Sequence, residues 1–142
     1  MTSFEQAILS SDTLSPALTV PATLDQLAAL RSVVGAVAAR YEVSVDGLCD
    51  LVLAVDEAAS TLICHAHPSS SLTCVVDIAH GDNLGVFLSV TTTAPINSST
   101  SSFGWFVMQK LVDSVVLEQH PHVTSHGWMV TIVLNTALQA DS

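Results

Sequence analysis

Basic residues are almost missing from this chain. Arg31, Arg40 and Lys110 are its only arginines and lysines, set against thirteen acids, and the formal net charge is −10. A phosphate backbone repels such a surface, so direct binding of DNA or RNA is not the expected role. A basic protein partner is instead drawn toward it, although acidity of this size also serves plain solubility. Nowhere do about eighteen apolar residues run without interruption, so no membrane-spanning helix is expected. The opening "MTSFEQAILSSDTLS" places no basic stretch ahead of an apolar one. That argues against a secretory signal and makes a cytoplasmic protein the expectation. Cysteines are few, odd in number and far apart: Cys49, Cys64 and Cys74. Embedded in apolar runs, they predict reduced core thiols rather than a disulfide framework.

What is present is mostly apolar. Hydrophobic residues make up 49% of the 142 and charged ones 11%, enough for one domain with a real core. Residues 1–16, rich in Ser and Thr and ending at Pro16, predict a flexible N-terminal arm, with a single domain over 17–139. "ALTVPA" reads as a short strand closed by Pro21, a residue that central strands do not tolerate. Thr23 is the expected N-cap of a helix over 23–41, with Leu24, Leu27, Leu30 or Arg31, Val34, Val37 and Tyr41 at helical spacing. Gly35 inside it costs about 1 kcal/mol relative to Ala and suggests close packing there.

Ser44 and Asp46 open a second helix over 45–67. Its expected buried arc is Val45, Leu48, Cys49, Val52, Val55, Ala59, Leu62, Ile63 and Ala66, and it ends at "HPSSS". Strands are predicted at 72–79 and 84–93, joined by the turn "HGDN". "APINSSTSS" reads as a loop, "FGWFVMQKLVD" as a helix over 103–113, and "SVVLEQ" and "GWMVTIVLNTAL" as the closing strands, the last an inner one. The order β-α-α-β-β-α-β-β predicts an α+β fold: a two-layer sandwich with helices on one face of a mixed or antiparallel sheet of four or five strands.

Within the second helix, "LAVDEAASTLICHA" sets an acid, a hydroxyl and an imidazole into a greasy run. Positions i, i+4 and i+8 drift by only about 40° per step, so Glu57, Thr61 and His65 form one stripe. Such a stripe either faces water or lines a ligand cleft, and Thr61 is equally able to bond back to the carbonyl of Glu57.

Together with the element order, this string resembles the anti-sigma-factor serine kinases of the RsbW and SpoIIAB type, in the GHKL ATPase superfamily. The resemblance spans about 18–138 and is closest in kind to stress-sigma regulators of the UsfX type. The family's helix carries Glu-x-x-x-Asn-x-x-x-His, often as "LAVSEAxTNAIxHA". Leu53, Ala54, Val55, Glu57, Ala58, Ala59, Ile63, His65 and Ala66 stand at the matching positions. The resemblance implies a GHKL (Bergerat-type) sandwich, a sigma factor and an anti-anti-sigma factor with a STAS domain as partners, and a homodimer. It also implies Glu57 as the residue that deprotonates or positions a substrate serine. Thr61, His65 and Gly104 fall at vestigial nucleotide-binding positions, while Arg31, Asp56 and the first helix are the expected partner-facing residues.

The departures from the family fall in the nucleotide motifs. Thr61 replaces the Asn that binds Mg²⁺, and a hydroxyl is a poorer ligand for a hard octahedral ion. Where the family has Asp-x-Gly-x-Gly, this chain has "SVTTTAPINSS", with no carboxylate or glycine. The glycine-rich turn is reduced to "SSFGWFVMQKLVD", which keeps Gly104 but sets Trp105 beside it; Gly127 remains of the last motif. A nucleotide's phosphates need cations or backbone N–H nests, and beyond residue 40 Lys110 is the only strong base. No cofactor is therefore expected. An anti-sigma factor with an eroded nucleotide site is the leading reading, and an active ATP- and Mg²⁺-dependent serine kinase the alternative. Cys64, His65 and His67, or His120, His122 and His126, do not complete four zinc ligands. Trp105 and Trp128 are expected in core or rim packing.

Overall fold

The structure, a computed structural model, describes residues 16–79, 82–97, 102–123 and 126–138. The arm expected over 1–16 lies, but for Pro16, outside the described residues, as do His80 and Gly81 of the expected hairpin turn. In chain order the elements are β1 (Ala17–Pro21), a 3₁₀ turn (Leu24–Gln26), α1 (Leu27–Ala38), α2 (Val45–His65), β2 (Ser71–Ala79), β3 (Asn83–Thr92), α3 (Phe103–Leu111), β4 (Ser114–Pro121) and β5 (Trp128–Ala137). The strands form one sheet in the order β1-β2-β3-β5-β4, antiparallel throughout. This is the expected α+β sandwich. Pro21 closes an edge strand, where its missing N–H leaves no ladder bond unmade, and β5 is an inner strand.

Period-2 alternation sorts the sheet's two faces. Leu84, Val86, Leu88 and Val90 of β3 are buried with Leu72, Cys74 and Val76 of β2 and Val130, Ile132 and Leu134 of β5. Leu30, Val34 and Ala38 of α1, one face at i, i+4 and i+8, complete that core. Each fully buried Leu or Val in it contributes roughly 1.5–3 kcal/mol. α2 lies between α1 and α3 and packs on β3 and β5, which makes it the central helix of its layer.

Three expectations need correction. The first helix does not begin at Thr23: Thr23 caps nothing, its hydroxyl is taken by the Asp25 carboxylate, and a 3₁₀ turn precedes α1. α1 also stops at Ala38, where short-range bonds from Arg40 to Val37 and from Tyr41 to Ala38 tighten the chain into a turn. The buried arc of α2 is Leu51, Ala54, Val55, Ala58, Ala59 and Leu62, while Val45 is 78% exposed and Cys49 is exposed. The alanines explain this: their small side chains let the helix axis approach the sheet, so the contact line runs over them and turns Val45 and Cys49 outward. Of the three cysteines expected in the core, only Cys74 is there, since Cys64 is exposed too. Among the described residues, no helix is long and apolar enough to cross a membrane.

Candidate functional site

Ser44 starts α2 by accepting a hydrogen bond from Gly47 N at 2.9 Å, which fixes the phase of every residue after it. Asp56 and Glu57 are consecutive, hence about 100° apart around the axis, and they reach opposite neighbours. Asp56 pairs with Arg31 of α1, so the two expected partner-facing residues are joined in one ion pair. Their side chains are 34% and 43% exposed, so Asp56 is not simply solvated, and a pair this open contributes at most about 1 kcal/mol. Glu57 turns the other way, onto the start of α3. A Cβ built on Gly104 would stand 3.3 Å from the carboxyl carbon of Glu57 and 3.4 Å from its Oε2. Ser102 caps α3 by accepting from Trp105 N at 3.2 Å, and the Glu57 carboxylate therefore lies at the positive end of that helix.

The remaining polar residues of the stripe are satisfied by their own helix. Thr61 Oγ1 donates to the carbonyl of Glu57 at 2.9 Å. His65 Nδ1 bonds the carbonyl of Thr61 at 2.9 Å; a carbonyl only accepts, so Nδ1 carries the proton and donates it. Ser60 repeats the pattern onto Asp56 O at 2.8 Å. These are the back-bonds that hydroxyl side chains make in mid-helix. The sequence stripe is real, and Gly104 joins it from α3, but its hydroxyl and imidazole point their protons into the backbone.

Past the end of β3, the segment expected to be a plain loop is built into the core as far as it is described. Thr92, 1% exposed, bonds Ala94 O at 2.6 Å. Ile96 is 8% exposed and belongs to the core, and Gln119 of β4 grips its backbone twice: Ile96 N donates to Gln119 Oε1 at 2.6 Å, and Gln119 Nε2 donates to Ile96 O at 2.9 Å. Sequence reasoning missed this clamp. An isoleucine alone in a Pro- and Ser-rich stretch was its only signal. The turn between β4 and β5 closes beside it, with His122 Nε2 3.0 Å from Thr91 Oγ1 and Gly127 so near Thr92 that a Cβ there would meet its carbonyl oxygen at 3.0 Å.

Lys110 lies over the ring of Phe106, 5.3 Å from its centroid, and both residues are exposed. Trp105 is buried, and Trp128 packs half-buried against the core. Among the described residues, no three His, Cys, Asp or Glu side chains gather as metal ligands.

Comparison with known proteins agrees with this fold. The family described as a histidine kinase-like ATPase domain matches residues 20–134. The anti-sigma-F factor RsbW of Mycobacterium tuberculosis, in strains CDC 1551 / Oshkosh and ATCC 25618 / H37Rv, is 38% identical over 98 residues, which is 69% of this chain. The chain spans only 58% of the length of those relatives. The crystal structure of the RsbU and RsbW domains of Rv1364c, also from Mycobacterium tuberculosis, superposes with a TM-score of 0.64 over 92% of this chain and 34% of that one. At 15% identity that likeness shows the fold alone.

Proposed function

We propose that this chain, which belongs to the histidine kinase-like ATPase domain family, works as an anti-sigma factor that sequesters a sigma factor and yields it to an anti-anti-sigma partner with a STAS domain. The 38% identity to a protein named anti-sigma-F factor supports this choice of partner. The net charge of −10 suits a basic one, with encounter rates that fall as salt rises. Arg31, Asp56 and α1 form the partner-facing surface in this reading. A homodimer belongs to it as well.

The observation that favours binding over phosphoryl transfer is the strand end after β3, where Thr92 bonds Ala94 O and Gln119 holds Ile96 with no carboxylate in the described segment. A Mg²⁺–nucleotide needs an oxygen ligand free on this helix, an adenine-anchoring carboxylate at the strand end, and backbone N–H groups open to phosphate. Thr61 offers a short hydroxyl, a weaker ligand for a hard octahedral ion than an amide oxygen, Thr92 and Ile96 hold the strand end without a carboxylate, and Gly104 sits against Glu57. The residues present do not fit the group. Two missing charge-assisted contacts, at roughly 1.5–3 kcal/mol each, lower affinity by about 10²- to 10⁴-fold, enough to carry a micromolar site to millimolar.

The test has two arms. Micromolar protein should inhibit transcription by the cognate sigma-loaded polymerase, with relief by the STAS partner; unchanged transcription sinks the anti-sigma reading. Calorimetry with ATP and Mg²⁺ should give no micromolar isotherm. A micromolar, Mg²⁺-dependent one restores the serine kinase, with Glu57 as its base.

A further inference from the structure

Between α1 and α2 a groove of about 450 Å³ opens to solvent, lined by Gly35, Leu48, Cys49, Val52 and Leu53. None of the five carries a charge or a hydroxyl. A small-molecule site of this size sets a few convergent polar groups into its wall, and this wall has none. Gly35 is half-buried and puts no side chain toward Val52, so the α1 side of the groove stays low. On α2, Val45, Cys49 and Leu53 recur at i, i+4 and i+8 as an outward stripe: Val45 is 78% and Leu53 56% exposed, and Cys49 is exposed too. A single exposed leucine needs no explanation, whereas a stripe along a groove does. Acids border it. Asp46 and Asp50 run beside the stripe, each one residue on from Val45 and Cys49, and Glu42 is exposed in the connection between the helices. Asp56 stands at the far end, its charge matched by Arg31, and Arg40 is the one other base in this region.

Resting on the anti-sigma reading above, we propose that this groove seats a large apolar side chain from an amphipathic helix of the sigma factor, with Lys or Arg residues of that helix along Asp46 and Asp50. An apolar seam with an acidic border is the complement of a helix that is apolar on one face and basic beside it. The groove also adjoins the surface already assigned to the partner, since Gly35 lies one turn beyond Arg31 and Val52 one turn before Asp56. A second copy of this chain is the poorer occupant. It would bring its own Asp46 and Asp50 against the same acids. Gly35 then has a reason that stability does not supply. An alanine there favours the helix but raises the groove floor, so the glycine serves the occupant rather than the fold.

The test uses the full chain, with the cognate sigma factor as probe. Cys64→Ser leaves Cys49 as the one exposed thiol, and its alkylation by iodoacetamide is timed with and without the sigma factor. Saturating sigma factor should slow that reaction by about tenfold or more. Gly35→Leu, which fills the groove, and Leu53→Ser, which trims its exposed wall, should each raise Kd by about tenfold or more, as loss of a central apolar anchor does. Thermal melts show that the variants fold, and Leu53→Ser alters only a surface position. Asp46→Asn with Asp50→Asn should flatten the fall of the on-rate with salt. A sigma factor that binds the parent yet leaves Cys49 at its free rate, or binds both folded variants as tightly, overturns the groove alone. No binding to the parent overturns the anti-sigma reading with it. Protection of Cys49 that grows with the concentration of this protein alone makes the occupant a second copy. Protection by the STAS partner and not by the sigma factor makes it that protein. Either result also overturns the proposal.

Discussion

Gly104 stands against Glu57, so close that a Cβ on the glycine would lie 3.3 Å from the carboxyl carbon. The contact is with the far end of a flexible side chain, so Gly104→Ala should leave stability within about 1 kcal/mol of the parent. Gly104→Leu must displace the carboxylate and should cost about 1–3 kcal/mol, most of it recovered when Glu57→Ala is added. A double-mutant cycle by urea denaturation measures the coupling. Additive effects would mean that the two residues do not touch in solution.

Gln119→Leu should be among the costlier polar-to-apolar changes. It removes both partners of the Ile96 backbone at once, leaving a part-buried N–H and C=O unpaired. A loss of about 1–3 kcal/mol is expected, with faster amide exchange at Ile96. Unaltered exchange there would contradict the clamp.

Two glycines should respond to alanine with opposite signs. At Gly35, mid-helix in α1, a new Cβ would meet Val52 Cγ2 at an ordinary 3.6 Å, so the close packing suggested by the sequence does not demand glycine. Gly35→Ala should stabilise by about 0.5–1 kcal/mol through helix propensity. At Gly127 the same atom would press on the Thr92 carbonyl oxygen at 3.0 Å, a backbone atom with little room to yield. Gly127→Ala should destabilise by about 1–3 kcal/mol. Thermal melts of the two variants decide the signs.

The cysteines should separate by reagent and by pH. Cys49 and Cys64 are exposed and should label quickly in the native protein, whereas Cys74 should label only on unfolding. Burial pushes the Cys74 thiol from 9.0 up to about 12. The unfolded chain then releases this proton at lower pH than the native one, so the contribution of Cys74 is intact below pH 9 and is lost as pH rises toward 12. Stability of the parent should therefore fall more steeply over that window than that of Cys74→Ala. Equal slopes would refute it.

Thr61→Asn should not create a nucleotide site. The change supplies one amide oxygen but leaves "SVTTTAPINSS" without a carboxylate and Gly104 against Glu57. ATP calorimetry on this variant should remain without a micromolar, Mg²⁺-dependent isotherm, and phosphorylation of a STAS partner should stay absent.

Much of this was legible in the chain. The alternation in "LGVFLSVTTT" and the 3.6-residue recurrence in "LDQLAALRSVVGAV" identified strand and helix because each is set by backbone geometry within a few residues. The stripe Glu57, Thr61, His65 followed from the same periodicity, and the string around it pointed to the family that the comparisons show. Cys49 and Val45 were misplaced because periodicity favours large apolar letters, whereas the sheet came closest to Ala54, Ala58 and Ala59.

By itself, then, the sequence determined which segments are helix and strand, the net acidity of the chain, and the absence of carboxylate and glycine from "SVTTTAPINSS", since these are properties of composition or of near neighbours along the chain. Only the tertiary structure decided that Asp56 turns to Arg31 while Glu57 meets Gly104, and that Ile96 enters the core under the grip of Gln119. Each of these joins residues far apart in sequence. Strand register and helix approach fix such pairings, and a shift of one residue along a strand moves every side chain to the opposite face.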